Sequence, residues 1–295
     1  MEGYFMNYKA ITLTMISALS LLTACDSNET ALPTLLSDDN LVQVADTQNR
    51  EDFFKLEDGL YFAQDQESSQ DGWTNTVTIL VKDGKINTLN YDAINHDVTA
   101  FKRQLSISNE YHMVEESQEN VKWHEQVEMI ENYLINHQSF QSLSLDENGK
   151  TDAITGVTIS IKPFIDLVQK ALNNGVIEKG PYQDGHYYAE QSSFINGFKY
   201  NINLVVLNGY ITAAHWDAID EDGQNLKEIA IKTEEQLCWE EQANLLENFL
   251  ISTQDPTTIT FNEENQTDTI TGVTIKVDQF IELAIQALAS GPTID

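Results

Sequence analysis

Asp152-Ala153-Ile154-Thr155-Gly156-Val157-Thr158 returns as Asp268-Thr269-Ile270-Thr271-Gly272-Val273-Thr274, an offset of 116. Working outward from this pair, the chain beyond residue 52 repeats. Asp58-Gly59-Leu60-Tyr61-Phe62-Ala63 matches Asp184-Gly185-His186-Tyr187-Tyr188-Ala189. Lys82-Asp83-Gly84-Lys85 matches Leu207-Asn208-Gly209-Tyr210, and Tyr91-Asp92-Ala93 matches Trp216-Asp217-Ala218, both at an offset of 125. Lys102 pairs with Lys227 at the same offset. Trp123-His124-Glu125-Gln126 then matches Trp239-Glu240-Glu241-Gln242 at 116, so the second copy is nine residues shorter between lysine and tryptophan. The period far exceeds a solenoid unit. The reading is two tandem domains, 53–178 and 181–291, joined near Gly180-Pro181.

Each copy carries the same succession of patterns. Val77, Ile79 and Val81 alternate with polar residues, followed by Asp-Gly and an apolar run from Ile86 to Ala93. The second copy has Ile202–Leu207, Asn-Gly, then Ile211–Ala218. Both predict a hairpin closed by a type I′ turn. Trp123, Val127, Ile130 and Leu134 fall at i, i+4, i+7 and i+11, as do Trp239, Ala243, Leu246 and Leu250, which predicts one helix with one apolar stripe per domain. A short strand is expected at 142–145 and at 258–261. A closing helix is expected at 163–172 and 278–288, with Pro163 as the first helical residue and Asp278 as N-cap. Strands and helices are segregated rather than alternating, so the fold class is α+β, an antiparallel sheet with packed helices in each domain.

The chain has 295 residues, with 16 Lys and Arg against 47 Asp and Glu, a formal net charge of −31. Such a surface repels phosphate backbones, which argues against nucleic acid as a partner. Two cysteines exclude a disulfide scaffold or a Cys-rich metal site, and six scattered histidines show no metal-ligand spacing. At the front, Lys9 precedes an apolar run from Ile11 to Leu22 that is too short to span a bilayer. It ends Leu22-Thr23-Ala24-Cys25, which looks like the lipobox of bacterial lipoproteins. On that resemblance, 1–24 is a signal peptide and Cys25 is the lipidation site. Residues 25–52 are polar and read as a flexible tether, with a reach of ~25–30 Å. Cys238 is left without a partner and reads as a small buried hydrophobe.

Asp-x-x-Thr-Gly-x-Thr reads as a turn ahead of a helix. Gly156 and Gly272 permit a tight turn or close approach to a bound group. Thr158 and Thr274 sit a few residues before a helix N-terminus, where free N–H groups and the helix dipole favour an anion. A hydroxyl there is placed to carry a phosphoester, and an acidic domain then needs no cationic phosphate pocket.

The segment resembles the flavinylation motif of FMN-binding domains, Asp-x-x-Ser/Thr-Gly-Ala-Ser/Thr, with Val157 and Val273 standing where that motif has Ala. The resemblance extends over roughly 58–288, and the two-domain layout is similar to the extracellular electron-transfer flavoproteins also described as pheromone-precursor lipoproteins. It implies FMN, two per chain, esterified to Thr158 and Thr274 by an FMN transferase. It also implies that Asp152 and Asp268 serve the modification, although each could instead cap its turn. Thr155 and Thr271 read as turn hydrogen-bonders. Tyr91 and Trp216 could stack on an isoalloxazine ring or lie in the core, and Trp123 and Trp239 belong to the helical stripe. Lys102 and Lys227 could place a cation by the ring, or be solvated surface residues.

The function implied is that of a lipoprotein on the extracytoplasmic face of the bacterial membrane. It would take electrons from a membrane quinol or NADH dehydrogenase system and relay them to extracellular acceptors such as ferric iron or free flavins. No constellation for stand-alone catalysis is present. The alternatives are an electron-donating subunit of an extracytoplasmic reductase and a flavin-free solute-binding lipoprotein.

Overall fold

Asp83, Gly84, Asn208 and Gly209 all have positive φ, between 53° and 82°. This is the backbone of a type I′ turn, whose twist matches the strands that it joins. The computed structural model describes residues 56–111, 113, 121–141, 143–230 and 237–293, and its architecture is α+β. The signal peptide, Cys25 and the whole of the tether lie outside the described residues.

In the first unit β1 (Gly59–Gln64), β2 (Trp73–Lys82) and β3 (Lys85–Asn95) form an antiparallel sheet in that order. Helices α1 (Lys102–Ser108), α2 (Trp123–His137) and α3 (Lys162–Asn174) follow. The second unit repeats this with β4 (Gly185–Glu190), β5 (Phe198–Leu207), β6 (Tyr210–Asp220), α4 (Leu226–Ile229), α5 (Trp239–Thr253) and α6 (Asp278–Ser290). The aspartates that open the repeats close the hairpins. Asp58 accepts from the N–H groups of Gly84 (2.8 Å) and Asp83 (3.0 Å), and Asp184 accepts from Gly209 N–H (2.7 Å).

Period-two alternation sends Val77, Ile79 and Val81 to one face of the first sheet, where they meet Trp123, Val127, Ile130 and Leu134 of α2 and Phe164, Leu167 and Val168 of α3. Each such aliphatic side chain contributes roughly 1.5–3 kcal/mol by leaving water. The second unit packs Ile202, Leu204 and Val206 against Ala243, Leu246, Leu250 and Phe280 in the same way. Gln138 ties the end of α2 to the hairpin. Its carboxamide accepts from Ile86 N–H and donates to Ile86 C=O, both at 2.8 Å, and Gln254 does the same at Ile211 (2.7 and 2.9 Å).

The opposite faces of the two sheets meet. Ile94, Val98 and Val205 form a third, smaller cluster with Phe101, Leu207 and Ala213 packed on it. Asn208 Nδ2 donates to Thr78 Oγ1 (3.0 Å), and Gln64 Nε2 donates to Thr212 C=O (3.0 Å). Gly180 lies so close to Gly209 that a Cβ on either would strike the other's backbone, so the connection is packed onto the β5–β6 turn.

Two local expectations are corrected. Residues 143–145 form no strand, and at 258–261 a 3-10 turn (Pro256–Thr258) runs into irregular chain. Leu143 and Ile259 are buried, but Leu145 and Phe261 are exposed, so only one residue of each alternating pair has a core to enter. Asp278 is the first helical residue rather than the N-cap, which is Val277. Its carboxylate instead accepts from Asn265 Nδ2 (3.0 Å) and Gln279 Nε2 (3.0 Å).

Candidate functional site

The repeated segment is built the same way twice. Thr151 Oγ1 accepts from Ala153 N–H (3.2 Å), and Thr267 Oγ1 accepts from Thr269 N–H (3.0 Å). Val157 N–H then closes a turn on Ile154 C=O (3.2 Å), as Val273 does on Ile270 (3.3 Å). Gly156 and Gly272 sit third in these turns with φ of 88° and 91°, which only glycine adopts without strain. Val157 and Val273 point into the two cores. Their neighbours Thr158 and Thr274 therefore face solvent, four residues before α3 and α6.

A glutamine holds each segment in place. Gln126 of α2 is fully buried, and its Oε1 accepts from the N–H groups of Thr158 (2.7 Å) and Ile159 (3.1 Å). Its Nε2 donates to Val121 C=O at 3.0 Å. Gln242 of α5 makes the same set with Thr274 (2.6 Å), Ile275 (3.1 Å) and Leu237 (2.9 Å). The threonine hydroxyls also donate to these carboxamides, at 3.4 Å from Thr158 and 3.2 Å from Thr274. The N–H groups of Thr158, Ile159, Thr274 and Ile275 are thus occupied, and the exposed residue in each segment is the threonine. Gln126 and Gln242 went unread in the sequence although Trp-x-x-Gln recurs, because glutamine on a helix ordinarily reads as a solvated residue.

The other motif residues are placed plainly. Asp152 and Asp268 are exposed and have no hydrogen bond or ion pair among the described residues, the turn-capping role belonging to Thr151 and Thr267. Thr155 and Thr271 are also exposed and bond to nothing among the described residues, so the expected turn hydrogen bonds are not made.

Thr158 lies on a groove of about 370 Å3 in the first unit, within the range of roughly 300–1,000 Å3 of small-molecule sites. Trp73, Tyr91, Tyr111 and Trp123 supply aromatic wall, and Lys102 lines it with them. The structure thereby brings together Thr158, Tyr91, Lys102 and Trp123, which are distant in sequence. The Lys102 ammonium sits 4.5 Å from the Tyr111 ring centroid, 5.0 Å from Trp73 and 5.3 Å from Trp123. Such cation–π contacts offset part of its burial. Burial lowers its pKa, with Asp71 and Asp92 opposing. Lys102 is thus a caged cation rather than a solvated one.

Lys227 is not its counterpart. Lys227 N–H donates to Asp217 (3.1 Å) and its ammonium to Glu247 (2.8 Å), which also accepts from Trp216 N–H (2.7 Å). In the first unit these positions belong to Arg103, with Asp92 (2.9 Å), Glu131 (2.6 Å) and Tyr91 N–H (2.7 Å). Lys227 therefore corresponds to Arg103, and Lys102 to Leu226. Lys227 has its charge taken by Glu247, with Asn244 (3.1 Å) and His215 (3.3 Å) completing its shell. Burial pushes Glu131 up to about 7 and Asp92 up to about 6 against the pull of Arg103.

Around Trp216 the second unit differs. Trp216 is buried against Trp239 (4.8 Å between centroids) and Phe280 (5.4 Å). Tyr200 stacks on Trp216 at 5.5 Å and 21°. Strand pairing puts Tyr200 where the first unit has Asn75, since Ile202 pairs with Trp216 as Val77 pairs with Tyr91.

No family model matches the chain, and no curated protein matches it. Two solved structures are similar to part of it. A structural-genomics target from Clostridium thermocellum, solved by NMR, is 43% identical over 40% of this chain and 92% of its own, with a TM-score of 0.32. A Clostridium perfringens protein solved by crystallography is 26% identical over 41% of this chain and 88% of its own, with a TM-score of 0.29.

Proposed function

We propose that the chain is a lipid-anchored extracytoplasmic flavoprotein that carries FMN as phosphoesters on Thr158 and Thr274 and relays electrons from the membrane respiratory chain to extracellular acceptors. The observation that carries this reading is the first-unit groove, where an exposed threonine hydroxyl, an aromatic wall and one buried ammonium meet. These residues fit the group: a hydroxyl for the ester, flat side chains for a ring, and a cation for a cofactor that gains negative charge.

FMN supplies the exchange between two-electron and one-electron transfer, and the protein supplies position and electrostatics. Gln126 and Gln242 fix the backbone of each exposed threonine. Asp152 and Asp268, exposed and unengaged among the described residues, are available to the transferase and its metal. Lys102 is a fixed positive charge beside the aromatic wall, and in a low-dielectric wall such a charge acts strongly on a neighbouring anion. No helix among the described residues is long and apolar enough to cross a membrane, and the proposed anchor is the lipid on Cys25. The test is co-expression with an FMN transferase, followed by denaturing gel electrophoresis. In-gel flavin fluorescence that survives denaturation supports the reading, and a colourless protein refutes it.

A further inference from the structure

We propose that the two flavin positions are not equivalent: the first unit takes the isoalloxazine ring into its groove, whereas Tyr200 keeps the ring on the surface of the second. This rests on the flavoprotein reading. It starts from two substitutions between otherwise matching places. Asn75 lines the groove of the first unit, on the strand beside Tyr91. Tyr200 occupies the matching place in the second, and its ring lies 5.5 Å from Trp216 and 6.4 Å from Trp239. Asparagine puts no ring over that wall, whose half-buried members are Trp73 and Tyr111 while Tyr91 and Trp123 are each 6% exposed, whereas tyrosine adds a ring of its own. The second difference is charge. Lys102, caged by Trp73, Tyr111 and Trp123, has Leu226 at its place in the second unit, and the nearby Lys227 is spent on Glu247.

Stacking Tyr200 on Trp216 already gives the second unit the contact that a flavin ring would otherwise gain. Aromatic pairs of this kind are worth ≈ 0.5–1.5 kcal/mol beyond the area they bury. A ring tethered at Thr274 must displace Tyr200 to reach Trp216, whereas a ring tethered at Thr158 meets the half-buried Trp73 and Tyr111 beside Lys102, with no ring at position 75 in its way. One flavin is then shielded, stacked and beside a cation, and the other is exposed to solvent and to incoming acceptors. A relay made this way has a protected store and an open outlet on one chain.

The test uses the full chain co-expressed with an FMN transferase, in the single variants Thr274→Ala and Thr158→Ala, each carrying one flavin. At high ionic strength, which screens the chain's negative charge from iodide, flavin emission and its quenching by iodide are measured. The Thr158-linked flavin is expected to be dim, from stacking on tryptophan and tyrosine, and several-fold less sensitive to iodide than the Thr274-linked flavin. Tyr200→Asn on the Thr158→Ala background should dim the remaining flavin and protect it. Asn75→Tyr on the Thr274→Ala background should do the reverse, so the inference stays testable if either substitution alone disturbs folding. Flavin mass on both single variants with equal iodide sensitivity overturns this inference and leaves the flavoprotein reading standing. Absence of flavin mass from both overturns the two together.

Discussion

Gln126 holds the backbone of Thr158 across 32 residues of chain, and Gln242 holds Thr274 across the same separation. Each amide oxygen takes two main-chain N–H groups, so an α-helix that packs the core also positions an exposed hydroxyl. Structure and chemistry are coupled at one side chain, which makes that side chain the first to test.

Gln126→Leu keeps the bulk and removes the carboxamide. Thr158 N–H and Ile159 N–H lose the amide oxygen that they share, and a buried group left unsatisfied costs about 1–3 kcal/mol. With partial access to water, a net loss of about 2–3 kcal/mol is expected in urea denaturation, together with faster hydrogen exchange at the Thr158 amide. Flavin loading at Thr158 should fall while loading at Thr274 stays. Unchanged exchange at Thr158 would contradict the positioning role.

The correspondence of Arg103 with Lys227 predicts an uneven tolerance. Arg103→Leu strands the buried carboxylate of Glu131, and breaking such a pair costs about 3–5 kcal/mol. Arg103→Lys installs what the second unit uses against Glu247 and should cost about 1 kcal/mol or less. Urea midpoints of the two variants decide it, and equal losses would mean that the guanidinium geometry is required.

His215 makes stability depend on pH. Burial, with Lys227 and His96 nearby, lowers its pKa to about 3 from 6.5. Asp217 stands 3.9 Å away on the other side. Below pH 6.5 the unfolded chain binds a proton that the folded chain refuses, so stability falls as pH drops from about 6.5 towards 3. One pH unit is worth about 1.36 kcal/mol, so at pH 5 the loss from this group is about 2 kcal/mol. In His215→Asn this dependence disappears. The stability difference between wild type and variant should therefore shift in the variant's favour by about that amount between pH 7.5 and 5. A constant difference over this range would show that His215 takes its proton in the folded state.

Much of the fold was legible because local and global signals agreed. Asp83-Gly84 and Asn208-Gly209 demand positive φ and have it. The stripes Trp123 to Leu134 and Trp239 to Leu250 face the cores. Errors came where one residue of difference matters. Lys102 and Arg103 are adjacent, and a one-residue deletion before Lys227 made the wrong neighbour align; the hydrogen bonds to Asp217 and Glu247 correct it. Leu143 and Leu145 alternate like a strand, but alternation alone does not say whether both faces find partners. The groove itself was invisible, because Asn75, Lys102, Tyr111 and Thr158 are joined only by tertiary packing.

The most direct measurement is the intact mass of the full chain co-expressed with an FMN transferase, set against Thr158→Ala, Thr274→Ala and the double variant. Only an exposed hydroxyl is removed in each, so all should fold. The account predicts two FMN additions on wild type, one on each single variant and none on the double variant. A wild-type mass without flavin, or the same flavin content in wild type and double variant, would contradict it.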